Sequence, residues 1–416
     1  MSMTPRQWRS LISATVMAIA TTLATAISPA TAKLEDSPKA LVDQAWQIVH
    51  QEYADRSFND KDWLAVRQQY LSQPYSSTDQ AYLAVDQMLK QLGDPYTRFL
   101  TPAGMKDIVD NVSGDFIGVG VTVTLDPLTQ EWVVLEVAPG SPAANVGISK
   151  QDIVVSINGK QTASINPRQA SQYIIGPVGS KVALQVRRGR DFLVHQLVRE
   201  HIDLNPLIYG VQSTDKGKFG YIRMPVFTTK STKAMEQALI TLEKQQVQGY
   251  LLDLRHNPGG VFEASIDIAR LWMGSGQVIS SILQRGQKEV FRAPGPGYTA
   301  KPLVVLVDEQ SASASEVLAA ALQDNRRAPI VGTKTFGKGI VQNLKALTDG
   351  SGVVVTTAQY FTPKGKNIHK IGLTPDLIVN LPEGTSFKPK ASEVLPPLTD
   401  QQYARALKLL TKQTRP

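Results

Sequence analysis

PLVVLVDEQSASASEVLAAALQD (302–324) is the stretch on which the fold turns. Five apolar residues, 303–307, have the composition of a strand buried on both faces. Asp308 ends the run, serines and alanines make a turn, and a helix is expected over 315–325. Such a strand-to-helix turn can present a hydroxyl beside the unpaired amides of a helix N-terminus, which can hold a developing oxyanion. Ala312 and Ala314 leave room around Ser313 for a peptide backbone. The same letters also spell a capping box, Ser313-x-x-Glu316, in which the serine merely starts the helix. Local physics does not choose among Ser311, Ser313 and Ser315.

Outward on the C-terminal side lies GTKTFGKGIVQ (332–342). Lys338 sits between two glycines, where backbones can pack closely. A lysine works as a base only when its amine is neutral, so its ordinary pKa of about 10.4 has to fall by desolvation or a nearby cation. Phe336, Ile340 and Val341 offer apolar surroundings, and Gln342 can orient the amine. A hydroxyl and a lysine can together cleave an amide without histidine, cysteine or metal. The bland alternative is a lysine on an exposed glycine loop. A second rival reads Gly332-x-x-x-x-Gly337-Lys338 as a phosphate-binding loop with 303–309 as its acidic strand. Against it, Gly339 replaces the magnesium-binding hydroxyl, IVQNL (340–344) reads as strand, and the acidic strand precedes the loop.

Outward on the N-terminal side, DLRHNPGG (253–260) ends a strand in a loop where Gly259 or Gly260 can donate a second oxyanion N–H. A tight turn before a helix favours the same letters. His256 raises a Ser–His–Asp arrangement, but no G-x-S-x-G occurs and the five histidines form no catalytic pattern. Around these segments strands and helices alternate: strand 219–227, helix 231–245, strand 249–255, helix 261–273 and strand 328–332. The expectation is an α/β fold, a protease-like core with a partly parallel sheet.

Residues 112–200 differ. FIGVGVTVTL (116–125) and WVVLEVAPG (132–140) read as strands, SPAANVGI (141–148) as a short helix and QDIVVSINGK (151–160) as a strand ending in an Asn-Gly turn. A helix over 166–175 and a strand over 182–188 complete the order. With these words it resembles a PDZ domain of the bacterial type. The resemblance makes Phe116, Ile117, Gly118, Val119 and Gly120 the peptide-binding loop, with Gly118 and Gly120 letting backbone N–H groups face a terminal carboxylate. The glycines can equally just permit a tight turn. Residues 36–108 read as helical, with Leu41, Ala45, Ile48 and Val49, then Leu83, Met88, Leu89 and Leu92, at helical spacing. Nothing there carries evident chemistry. A short helix is expected at 404–410.

Composition narrows the classes. The chain has 416 residues, is 42% hydrophobic and 19% charged, and contains no cysteine. That is enough for two or three domains and excludes thiol chemistry and disulfides. Arg6 and Arg9 precede the apolar run 11–27, and Ala30-Thr31-Ala32 follows, the grammar of a cleaved secretory signal. Removing 1–32 takes two arginines and no acid from a net +8, leaving +6. The bases are dispersed, so nucleic acid is not an expected partner. A mild attraction to anionic membrane surfaces fits the charge, as does a plain solvated surface.

Taken together, GDPYTRFL (93–100), the PDZ words, DLRHNPGG, SASASEVLAAALQD, VGTKTFGKGIVQ and YFTPKGKNI…GLTPD (360–376) make the chain resemble the carboxyl-terminal processing, or tail-specific, proteases, in wording closest to cyanobacterial and chloroplast members. The resemblance implies Ser313 as nucleophile, Lys338 as general base, Gln342 as its orienter, oxyanion donors at Gly259 and Ala314, and a supporting role for Asp324. It also implies a signal peptide (1–32), a helical domain (33–109), a PDZ domain (110–198), a protease core (199–384) and a C-terminal segment (385–416). Protein substrates are expected to enter by their C-termini, in the periplasm or thylakoid lumen. Neither a cofactor nor a metal is called for. Members that trim the photosystem II reaction-centre precursor make that precursor a candidate substrate.

Overall fold

The computed structural model describes residues 37–126, 129–138, 140–165, 173–203, 207–382 and 394–413. The expected signal peptide lies outside the described residues. So does most of the helix expected at 166–175, of which 173–175 are described, 173 and 174 as helical.

Three helices come first: α1 (Pro38–Glu52), α2 (Trp63–Leu71) and α3 (Thr78–Lys90). Each begins on an expected type of cap: the side chains of Ser37, Asp62 and Ser77 accept from the N–H groups of Ala40, Ala65 and Gln80. Leu41, Ala45 and Val49 are buried, as their spacing implies. Leu83 is not: it is 64% exposed, and Ala81, Ala84, Val85, Met88 and Leu89 form the inner face. Five residues separate 83 from 88, about 140° out of phase at 100° per residue. Nor is the segment purely helical. β1 (Arg98–Leu100) precedes α4 (Pro102–Ser113), which Thr101 caps and Gly114 ends at φ 69°.

The strand expected over 116–125 is two strands in two sheets. β2 (Asp115–Gly118) and β3 (Val121–Leu125) are separated by Val119 and Gly120. Gly120 has φ 80°, and a Cβ on it would lie 2.2 Å from that of Ser141, so this glycine has a packing reason of its own. β4 (Trp132–Val137), α5 (Pro142–Asn145), β5 (Ile153–Ile157), β6 (Lys160–Gln161), β7 (Lys181–Arg188) and β8 (Asp191–Val198) follow, then β9 (Glu200–Asp203), which pairs antiparallel with β2. The larger sheet runs β3-β4-β5-β7-β8, with β6 on β5. β3 therefore has one neighbour and an open edge among the described residues. β8 escaped the sequence reading because its apolar residues Phe192 and Val194 face outward and give no buried stripe.

The remainder is the α/β core. It comprises β10 (Ile208–Thr214), β11 (Gly217–Arg223), α6 (Ser231–Lys244), β12 (Tyr250–Asp253), α7 (Phe262–Trp272), β13 (Val278–Gln284), β14 (Gln287–Arg292), β15 (Leu303–Val307), α8 (Ala314–Asp324), β16 (Ile330–Gly332), β17 (Ile340–Ala346), β18 (Gly352–Phe361), β19 (Leu377–Ile378) and α9 (Gln401–Gln413). The central sheet runs β10-β11-β12-β15-β16-β19. Only β10 is antiparallel to its neighbour. All of β15 is buried: Leu303, Val305 and Val307 face one core with α6, α7 and α8, and Val304 and Leu306 face the other with α9. Period-two alternation thus fills both faces, which is why the strand reads as an unbroken apolar run. A second, antiparallel sheet has β1 and β13 along one edge of β18 and β17 along the other. Val353 and Val355 from this sheet, with Leu347 just after β17, join the core of the N-terminal helices.

Candidate active site

α8 starts at the nucleophile candidate. Ser313 has φ 55° and ψ −116°, a backbone conformation costly for an L residue and retained only where surrounding contacts hold it. Asp308 shapes the turn before it, accepting from the N–H groups of Gln310 and Ser311 at 3.1 Å each. The other two serines are committed elsewhere: Ser311 Oγ donates to the Leu254 carbonyl at 2.8 Å and Ser315 Oγ to that of Asn257 at 2.9 Å. The structure thereby separates Ser313 from its neighbours, a choice the sequence left open. The capping-box acid does form its half of the box, Ser313 N–H donating to Glu316 Oε2 at 2.9 Å.

Glu316 does more than cap. Its side chain is fully buried and also accepts from Gly337 N–H and Lys338 N–H, both at 2.8 Å, and from Thr335 Oγ1 at 2.5 Å. One carboxylate therefore joins the serine turn to the lysine loop. Tyr360 adds a second tie, its hydroxyl donating to the Lys338 carbonyl and lying 3.2 Å from that of Ser313. The glycines around Lys338 are needed for close packing: a Cβ on Gly337 or Gly339 would lie 2.7 Å from the backbone N of Gly372 or His369.

Lys338 and Ser313 line one cleft of about 820 Å³, with Gln342, Gly260, Phe262 and Arg98. Lys338 Nζ donates to Gln342 Oε1 at 2.7 Å. Burial holds its pKa below the ordinary lysine value, and repulsion from Arg98 adds to the shift while Asp94 opposes it. Both routes to a neutral amine named from the sequence are present. β17, whose outer edge is open among the described residues, runs along the cleft and contributes Ile340 to Lys345.

The 253–260 loop packs against the serine turn. A Cβ on Gly259, at φ 100°, would lie 2.8 Å from Ser313 Cβ and from the Ala312 carbonyl. Gly259→Ala should therefore cost about 2 kcal/mol of stability and depress turnover together; urea unfolding beside peptide cleavage checks this, and an unchanged midpoint would contradict it. The expected oxyanion donors differ in state. Ala314 N–H, at the first helical position, has no partner among the described residues. Gly259 N–H donates to Asn257 Oδ1 at 2.8 Å and is engaged. Gly260 is bridged to Phe227, which bonds the Gly259 carbonyl and the Val261 N–H, so the Gly260 N–H points away from Phe227. It too has no partner among the described residues.

The rivals do not find their geometry here. His256 Nδ1 pairs with Asp308, its Nε2 lies 3.2 Å from Gln310, and the pair braces the turn instead of addressing Ser313. Lys338 leads into a strand, not the helix of a phosphate-binding loop. Asp324 is at the far end of α8, about 16 Å along the helix from Ser313, where it accepts from Lys364 N–H at 3.0 Å. The sequence reading missed one contributor altogether. The turn 94–97, which reads as carrying no chemistry, reaches Gln342 and Lys338: Gln342 Nε2 donates to the Tyr96 carbonyl at 2.6 Å, and Lys338 Nζ lies 5.2 Å from the centre of the Tyr96 ring. The segment lies within GDPYTRFL (93–100), but the Gln342 that it meets is 246 positions from Tyr96.

Comparison with known proteins gives the family. Residues 218–379 match peptidase family S41 and residues 133–188 match a PDZ domain. The carboxyl-terminal-processing protease of Synechocystis sp. is 38% identical over 92% of this chain and 89% of its own length. That of Picosynechococcus sp. is 40% identical over 89% of each. Among solved structures, a photosystem II D1 C-terminal processing protease superposes with a TM-score of 0.57 at 36% identity, covering 83% of this chain and 93% of that one. The chain belongs to the carboxyl-terminal-processing proteases of peptidase family S41, serine endopeptidases that carry a PDZ domain.

Proposed function

We propose that this endopeptidase cleaves with Ser313 as nucleophile and Lys338 as general base, and that it takes proteins by their C-termini. The observation that carries the reading is the shared cleft: a half-buried lysine with lowered basicity, oriented by Gln342, beside a serine held in a strained turn. Neutral Lys338 takes the Ser313 hydroxyl proton as Oγ bonds to the scissile carbonyl carbon. The oxyanion accepts from Ala314 N–H and from the glycine turn. Gly260 N–H is open for this, whereas Gly259 serves once it leaves Asn257. The Lys338 ammonium then protonates the departing amine as the C–N bond breaks. Water attacks the acyl-enzyme, giving its proton to Lys338, which passes it to Ser313 Oγ as the ester C–O bond breaks, restoring the hydroxyl and the neutral amine. Asp324 supports the helix rather than the reaction.

For the substrate tail, β3 offers an open edge to which an extended peptide can add as a strand. At its start, Val119 and Gly120 N–H groups have no partner among the described residues, as carboxylate capture requires. Phe116, Ile117 and Gly118 lie in β2, paired with β9, and would shape the loop rather than extend the peptide's sheet. We place the enzyme outside the cytoplasm, in periplasm or lumen, on the basis of the leader-like 1–32. Among described residues no helix is long and apolar enough to cross a membrane. The D1 tail named for the solved relative is the first substrate to test.

The experiment is cleavage of a peptide library with free or amidated C-termini by the wild type and Ser313→Ala. Cleavage by the wild type alone, several-fold faster with free carboxylates, is expected. Equal rates on both termini would remove the carboxylate-capture part; cleavage by Ser313→Ala would remove the nucleophile.

A further inference from the structure

The N-terminal helices end in a turn that enters the active site. Asp94 builds it, accepting from Tyr96 N–H at 2.9 Å and from Thr97 Oγ1 at 2.7 Å. Thr97 Oγ1 in turn accepts from Thr356 N–H of β18 at 3.1 Å, so the turn is fixed to the sheet that carries β17. Tyr96 is the residue this places against the base.

We propose that Tyr96 is the positioning residue of the general base, setting the Gln342 amide through its main-chain carbonyl and receiving the Lys338 ammonium on its ring. The inference rests on Lys338 being the base. A carbonyl can only accept, so the Gln342 amide must turn its Nε2 toward Tyr96 and its Oε1 toward Lys338. That leaves a neutral Lys338 amine donating to Gln342, with its lone pair available for the serine proton. The ring contributes at the next moment. When the proton arrives, an ammonium forms in a site that disfavours it, and a ring face within about 6 Å stabilises that cation. The buried surroundings keep the lysine neutral beforehand; the ring eases the charge that the reaction creates. Tyr96 also meets His369 edge-on, with ring centres 6.0 Å apart.

The ring can be tested apart from the carbonyl because side-chain replacement keeps the carbonyl. The pH dependence of kcat/KM on a peptide is measured for wild type, Tyr96→Phe, Tyr96→Leu and Tyr96→Met, with Lys338→Ala beside them and thermal unfolding of each. Tyr96→Phe keeps the ring face and should match the wild type. Leucine and methionine remove it without admitting water, so the ammonium loses support and the lysine pKa drops. The acid limb should then move down by roughly 0.4 to 1.5 pH units, and the plateau kcat should fall several-fold with little change in KM. An unmoved limb in both apolar variants, with Lys338→Ala inactive, would overturn the role of the ring alone. A Tyr96→Phe as impaired as Tyr96→Leu would overturn it as well. An active Lys338→Ala would instead remove the base, and this inference with it. Should Tyr96→Leu prove unstable, Tyr96→Met against Tyr96→Phe gives the same comparison.

Discussion

Lys338→Met should lower peptide cleavage by about 10³-fold or more while making the protein more stable at neutral pH. The activity loss is that of a general base whose proton transfer has no substitute, worth about 10²–10⁴, increased because the same amine must return the proton to the leaving group. The stability gain follows from the direction of its pKa. Burial first, and Arg98 second, hold the folded-state value below that of the unfolded chain. Between the two values the unfolded state binds the proton that the folded state has lost, so stability rises with pH across that window. Below the folded-state value the whole cost of burying the ammonium is present; above the ordinary lysine value, about 10.4, it is gone. Methionine has similar length and no charge, so it removes the cost at neutral pH. The gain of Lys338→Met over wild type should shrink as the pH is raised toward and past that value. Urea unfolding at about pH 7 and about pH 10.5, beside single-turnover cleavage, measures both effects. A variant less stable than wild type at neutral pH would mean that Lys338 is held as a favourably paired cation. Near-normal cleavage would require another base.

Much of this was legible because the decisive contacts are local. A strand buried on both faces announces itself as an apolar run, and 303–307 gave both the central strand and the place of the turn after it. Gly337 and Gly339 advertised close backbone approach, and the 368–372 loop is what approaches. What stayed hidden was assembly. Three serines at alternating positions look alike until the carbonyls of Leu254 and Asn257, far earlier in the chain, claim two of them. The 116–125 strand could not be divided by periodicity, because both halves alternate correctly; only pairing with β9 and β4 divides it. Leu83 shows the opposite failure, a large apolar residue read as core when the helix phase points it at water. The turn at Tyr96 had a readable shape but no readable partner, since the bond that gives it meaning joins distant parts of the chain.

Glu316→Gln should cost about 2–4 kcal/mol of stability and at least about 100-fold in cleavage, although the two side chains have nearly the same shape. Four donors converge on the carboxylate: Ser313 N–H and Lys338 N–H on Oε2, Gly337 N–H and Thr335 Oγ1 on Oε1. An ionised carboxylate is all acceptor, whereas an amide turns one of its ends into a donor. With its nitrogen at the Oε2 place the introduced amide strands Ser313 N–H and Lys338 N–H; with its nitrogen at the Oε1 place it strands Gly337 N–H, while the Thr335 hydroxyl can turn to accept from it. The better orientation strands one N–H, at about 1–3 kcal/mol, and replaces charge-assisted bonds by weaker neutral ones, and the stated range follows. Glu316→Ala would strand all four and should cost more. The catalytic loss has a geometric origin: Glu316 is the buried charged tie between the turn holding Ser313 at φ 55° and the loop carrying Lys338, and without it either can shift by the fraction of an ångström that proton transfer does not tolerate. Tyr360 still links the two carbonyls, which is why the variant should fold. Urea midpoints together with kcat, measured well below the unfolding range, separate the two effects. A Glu316→Gln protein that matched wild type in both would show that the carboxylate only caps the helix. One that lost stability but kept its rate would show that serine and lysine hold their places without it.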